Sequence, residues 1–226
     1  MEKVLYGFGD SLVDGHCIHV GMLDALAEKY GLAYHKYAVN GATVIPNDEI
    51  AGGLDAQDRK RVPDVAAQIQ AAPEEVPDYI VFDGLTNDAY LSSIEGRVGK
   101  MTLSYGGDYD RATFYGAFER ICFLLREKYM DSRIFYVCVH RMPGRDMELQ
   151  EVLQKAAREV CGKWSIPCVD IFRQGQINTC VEEMRRRYTY DRAERLADGS
   201  GTHLTPAGYE RWYLPMLEAA MGLGKP

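Results

Sequence analysis

The sequence has no run of about 18 apolar residues that could form a membrane-spanning helix. It has no charged-then-apolar leader with a small-residue cleavage site. Its first residues, MEKVLYGFGD, lead straight into an apolar strand pattern. These two absences set the expectation of a cytoplasmic protein with no membrane partner. Cysteine is present but nowhere as a C-x-x-C pair: Cys17, Cys122, Cys138, Cys161, Cys168 and Cys180 stand apart. Several fall in apolar runs, so reduced and mostly buried thiols are expected rather than a disulfide framework or a zinc site. Positive charge is also short. The 26 Lys and Arg are outnumbered by 33 Asp and Glu, a formal net charge of -7. A general nucleic-acid binder shows a basic face, so no nucleic-acid partner is expected. Lys163, Arg185, Arg186, Arg187, Arg192 and Arg195 are interleaved with acids and read mostly as solvated helix faces. No G-x-G-x-x-G follows the first apolar run and no P-loop occurs, which disfavours a dinucleotide or nucleoside-triphosphate site. No repeat, low-complexity tract or Pro/Ser-rich linker interrupts the 226 residues. One domain over 1–226 is the expectation.

What is present is an alternation. Strand patterns fall at 3–9, 34–39, 78–83, 133–139 and 167–171, several of them nearly continuous apolar runs of the kind buried on both faces. Helical patterns fall between them at 18–31, 62–72, 110–130 and 146–164, and a last one at 205–222 closes the chain. Gly31 marks a helix end. Thr205 is the expected N-cap of the last helix, with Pro206 at its first position and a kink at Pro215. This rhythm predicts an α/β fold: a three-layer α/β/α sandwich with a parallel sheet of about five strands. Ligands of such sheets sit beyond the carboxyl ends of the strands. Ser11, Gly41, Asn87 and His140 follow the first four strand patterns, and His203 lies in the last loop before the final helix.

A serine hydroxyl becomes a nucleophile only with a base in hydrogen-bond reach and donors for the developing oxyanion. The strand-to-turn sequence GFGDSLVDGH at 7–16 contains GDSL at 9–12. NGAT follows at 40–43, GLTND at 84–88 and THLTPAGY at 202–209. In order and content these blocks resemble those of the GDSL, or SGNH, hydrolase superfamily, and the resemblance runs from residue 4 to about 218. It implies a flavodoxin-like fold and a serine ester hydrolase acting on a small-molecule ester, with no cofactor and no metal. Ser11 would be the nucleophile and His203 the general base. The backbone N–H groups of Ser11 and Gly41 and the Asn87 amide would hold the oxyanion. Glycine lets the backbone approach closely, and an asparagine amide donates without a permanent ionic partner.

Two positions depart from the family's blocks. Leu85 stands two residues before Asn87, where the third block has glycine. Ser200 stands three before His203, where the fifth block has aspartate; the nearest upstream acid is Asp198, in DGSGTH. Either Asp198 orients the imidazole from a bulged loop, or a backbone carbonyl or another group does so in a Ser–His dyad. Asp10 reads as a turn brace. Asp14, His16, Leu85, His140 and Arg141 are candidates for substrate contact, each against a plain turn or loop reading. The long stretch 89–109, rich in Gly and Tyr, could cover the pocket or pack on the protein, and 44–61 flanks the other side. Short acyl chains on small alcohols or sugars, carbohydrate O-acetyl esters included, are the expected substrates. The alternatives are a hydrolase-like binding protein with a degenerate site and a flavodoxin-like small-ligand binder.

Overall fold

A computed structural model describes residues 2–47, 62–90, 92–192, 195–196 and 201–223. Five strands, β1 (Val4–Phe8), β2 (Ala33–Lys36), β3 (Tyr79–Phe82), β4 (Arg133–Cys138) and β5 (Cys168–Asp170), form a sheet in the order β2-β1-β3-β4-β5. Every pairing is parallel, with Leu5 opposite both Tyr34 and Tyr79 and Ile80 opposite Ile134. Each strand matches one of the five apolar patterns to within a few residues.

The period of two sorts the strands' side chains onto two faces. Tyr6, Phe8, Ile80, Phe82, Ile134 and Tyr136 join one buried cluster with α3 (Val65–Ala71), α4 (Phe114–Lys128) and α5 (Met147–Lys163). Leu5, Val81, Phe135, Val137 and Val169 join the other, with α1 (Ser11–Asp14), α2 (Asp24–Tyr30) and the C-terminal helix. Helices on both faces of a parallel sheet make the three-layer α/β/α architecture. α3, α4 and α5 begin where a short polar side chain caps the first turn: Asp64, Thr113 and Asp146 accept from Ala67, Gly116 and Leu149 backbone N–H groups.

Three local features differ from the sequence expectation. The pattern at 18–31 becomes helical only at Asp24. Gly21 lies against α1, where a Cβ would sit 2.2 Å from the Val13 carbonyl oxygen, so a turn fills residues 18–23. The final helix has a π turn at Tyr209–Tyr213 ahead of α8 (Leu214–Met221, following α6, Ile171–Gln174, and α7, Glu182–Tyr188). Pro215 has no N–H for the Arg211 carbonyl, and the π turn accommodates the break. Thr205 caps this helix from its hydroxyl with Pro206 in the first turn, as the sequence predicts. A small antiparallel sheet of β6 (Thr189–Arg192), β7 (Arg195–Leu196) and β8 (His203–Leu204) was not legible in the sequence. Its strands are too short to show periodicity.

Of the stretch 89–109, the part at 98–109 does not reach over the strand ends. The Lys163 ammonium, at the far end of α5, donates to the Thr102 and Ser104 carbonyls at 3.0 and 2.5 Å and pairs with the fully buried Glu119. Tyr105 and Tyr109 pack edge-on against Trp164. Among the described residues no helix is long and apolar enough to cross a membrane. Cys122, Cys138 and Cys161 are buried free thiols, Cys168 is half-buried, and Cys17 and Cys180 are exposed.

Candidate active site

The strand order reverses between β2-β1 and β1-β3, and the crevice at such a switch point is where doubly wound sheets bind ligands. The turn after β1 opens that crevice. Gly9 has φ +136°, and a Cβ there would sit 1.7 Å from Asp83 Oδ1, so only glycine fits. The Gln68 side chain closes the turn from α3, accepting from Gly9 N and donating to Gly9 O, both at 2.9 Å. Asp10 then caps α1 through Leu12 N at 2.9 Å, while its own N–H donates to Asp83 Oδ1 at 2.9 Å. Asp10 and Asp83 are both fully buried. Burial, reinforced by the Asp10 charge, holds the Asp83 carboxyl well above the usual carboxylate range. Two carboxyl groups and a glutamine thus fix the backbone on which Ser11 sits.

The loops after β2 and β3 are tied to each other. Gly41 has φ +83°, a conformation that favours glycine. Asn87 Nδ2 donates to the Ala42 carbonyl at 2.8 Å. The neighbouring Asp88 accepts from Val44 N and Ile45 N at 2.9 and 3.0 Å. Complete burial outweighs these bonds and pushes the Asp88 pKa up to about 7. Leu85 also has φ +83° and is almost fully buried in the core. It takes the left-handed conformation of a glycine position while filling core volume, so the departure in the third block leaves the turn intact. This burial takes Leu85 away from substrate contact.

His203 arrives from the opposite side, on β8. Its Nε2 is 2.9 Å from Ser11 Oγ. β8 is paired with β6, which sets Tyr190 opposite His203. The loop just before β8 is fastened from below. His140 is fully buried, and its Nε2 contacts the Gly201 carbonyl at 3.0 Å while Nδ1 contacts the Tyr213 hydroxyl at 2.6 Å. The His140 backbone N–H donates to the same hydroxyl oxygen at 3.1 Å. One proton arrangement satisfies all three: Nε2–H donates to Gly201, and Tyr213 O–H donates to Nδ1. Thr179 Oγ1 lies 2.8 Å from Gly201 O. Burial lowers the His140 pKa to about 4, so the ring is neutral. The suggestion of substrate contact by His140 is therefore corrected: the ring braces the His203 loop from the interior.

Around the His203 ring, His16 stacks face to face at 4.1 Å with 12° between planes, and Tyr190 lies tilted at 5.9 Å. Burial first, then His16, Arg145 and His140, lower the His203 pKa to about 3. The other candidates fall into place as follows. The Asp14 carbonyl receives Lys36 Nζ at 3.2 Å. Arg141 pairs with Glu151 at 2.8 Å and stacks over Phe172 at 4.0 Å. Asp198, Ser200 and the flank at 48–61 lie outside the described residues. Sequence reasoning missed Gln68, Asp83, Tyr190, Tyr213 and Arg145. The acid closing the VFD strand end was a signal for Asp83. Arg145, whose Nε donates to Thr86 O at 2.8 Å, had none.

With this geometry in view, comparison with known proteins is decisive on one point. The profile of the GDSL-like lipase/acylhydrolase family matches residues 8–211. The chain belongs to that family. It is a carboxylic ester hydrolase of the GDSL type. No curated protein sequence matches it significantly. Solved structures share the fold at low identity. A protein from Lactobacillus plantarum is 16% identical with a TM-score of 0.73, over 100% of this chain and 98% of its own. The lipase/acylhydrolase from Enterococcus faecalis is 19% identical, TM-score 0.56, over 100% and 98%. Phospholipase A1 from Streptomyces albidoflavus NA297 is 14% identical, TM-score 0.57, over 97% and 100%.

Proposed function

We propose that this GDSL-type hydrolase cleaves short-chain acyl esters of small alcohols or sugars through an acyl-enzyme on Ser11, working as one domain on a small-molecule substrate. The observation that carries the reading is the 2.9 Å contact between Ser11 Oγ and His203 Nε2 at the switch point of the sheet. A neutral imidazole is the form that can take a proton, and burial keeps His203 neutral. Ser11 Oγ attacks the ester carbonyl as its proton passes to Nε2. The oxyanion forms against the backbone N–H groups of Ser11 and Gly41 and the second N–H of the Asn87 amide, whose first is held by Ala42. Each such donor contributes about 2.7–4 kcal/mol to the transition state. The imidazolium returns its proton to the leaving alcohol. Water, deprotonated by the same ring, then releases the acid and regenerates Ser11. Asp198 is the proposed orienting acid for Nδ1 of His203.

The preference for short acyl groups rests on the 98–109 segment, which lies against α4 and α5 rather than over the crevice. Hydrolysis of a chromogenic ester series from acetyl to decanoyl tests it. Highest kcat/KM at acetyl to butyryl is expected; a maximum at octanoyl or longer would refute the short-chain assignment.

A further inference from the structure

The turn joining α1 to α2 holds more left-handed backbone than its residues favour. Gly15, Cys17 and His19 have φ of +91°, +59° and +55°. Glycine takes such angles freely, but Cys17 and His19 carry side chains that oppose them. Strained backbone of this kind persists where neighbours over-determine it, and here they do. Gly15 N and His16 N both donate to Ser11 O, at 2.9 and 3.2 Å. His19 N donates to Gly15 O at 2.7 Å. Lys36 Nζ donates to the Asp14 and His19 carbonyls at 3.2 and 2.8 Å. The Tyr190 hydroxyl donates to the His16 carbonyl. The visible product of the strained turn is the parallel stack of the His16 ring on His203, at 4.1 Å and 12°.

Building on the assignment of Ser11 and His203 as the reacting pair, we propose that His16 is a positioning residue whose imidazole face fixes the plane of the His203 ring and keeps Nε2 aimed at Ser11 Oγ. A histidine's χ2 torsion is broad, so its own rotamer does not settle the ring plane. Tyr190, on the other strand of the pair, is tilted at 42° and farther away, so the coplanar surface comes from His16. The stack has an electrical consequence as well. Among the described residues, the charged or titratable groups acting on His203 are His16 from this turn, Arg145 from the loop after β4 and His140 just past the end of β4, with Tyr190 of β6 and Ser11 of α1 adjoining it as neutral groups; Asp198 is the acid proposed for its Nδ1. His16 covers one face of the ring and opposes a cation on it.

The test compares His16→Ala and His16→Phe with wild type. It reads kcat and KM separately for a short-chain ester and follows His203 protonation by NMR. His16→Ala is expected to lower kcat about tenfold to a hundredfold with little change in KM, the cost of a mis-set reacting group. The His203 titration should move to higher pH. His16→Phe keeps a flat face and should recover most of kcat, while its uncharged ring still lets the titration move up. Wild-type kcat and an unmoved titration in both variants would overturn the proposal. So would a loss confined to KM, which would make His16 a substrate contact. Should His16→Ala fail to fold, His16→Phe decides on the same two readouts. Should the wild type cleave no ester, the functional assignment falls, and the titration alone decides on the stack: movement in the variants supports it and no movement overturns it.

Discussion

His140→Leu separates what a buried neutral histidine contributes from what it costs. At neutral pH the variant loses the bond from Nε2 to Gly201 O, while Thr179 remains beside that carbonyl. The Tyr213 hydroxyl, fully buried, loses the acceptor of its proton. A net hydrogen bond at about 1 kcal/mol and an orphaned buried donor at about 1–3 kcal/mol give a deficit of about 2–4 kcal/mol. Acid changes the comparison. The folded pKa of about 4 lies below the ordinary 6.5, so the unfolded chain takes up a proton that the folded one refuses. Wild type therefore loses stability from this group as pH falls below about 6.5, by about 2 kcal/mol at pH 5. The leucine variant has no such loss. The other titrating groups are common to both proteins and cancel in the difference. Urea unfolding at pH 7.5 and pH 5 should show a deficit of about 2–4 kcal/mol that shrinks by about 2 kcal/mol at the lower pH. An equal deficit at both pH values would refute the neutral, buried state of His140.

Three further predictions concern the same machinery. Asp83→Asn keeps an acceptor for Asp10 N and does not pay for holding a buried carboxyl protonated, so it should be at least as stable as wild type at neutral pH, whereas Asp83→Leu leaves Asp10 N without its acceptor and should be less stable than Asp83→Asn by about 1–3 kcal/mol; equal stabilities of the two variants in chemical denaturation would contradict the bracing role of Asp83. Because the folded Asp83 pKa is raised above its unfolded value, Asp83→Asn should also remove a stability loss that wild type shows as pH rises. At Leu85, glycine should be no less stable than alanine: both empty core volume, but only glycine relieves the disfavoured φ of +83°, and thermal melts that put alanine clearly ahead would refute the strain. Finally, kcat/KM should hold its neutral-pH value to below pH 6.5, since burial, His16 and Arg145 together hold the His203 pKa below its ordinary value; an acid limb centred at or above 6.5 would contradict that shift.

The sheet was legible because its strands are apolar on both faces and its helices long enough to show a period. Ser11, Gly41, Asn87 and His203 could be singled out because strand ends of a parallel sheet converge on one crevice and the sequence blocks stand at those ends. Other features depend on contacts between distant segments. Gln68 on α3 closing the turn at Gly9, Tyr213 reaching His140 across 73 positions, and the docking of 98–109 on Lys163 leave no local pattern. Leu85 looked like a damaged block because sequence shows residue type but not φ. His140 looked like a pocket residue because position at a strand end does not tell which way a ring turns.

The central claim is that Ser11 is the nucleophile, and covalent trapping tests it most directly. Wild type and Ser11→Ala would be treated with a serine-directed phosphonate ester carrying a short alkyl group, digested, and read by mass spectrometry. The account predicts one adduct on the peptide containing Ser11 in wild type, parallel loss of ester hydrolysis, and no adduct in Ser11→Ala. Label on another residue, or hydrolysis by Ser11→Ala at the wild-type rate, would contradict it.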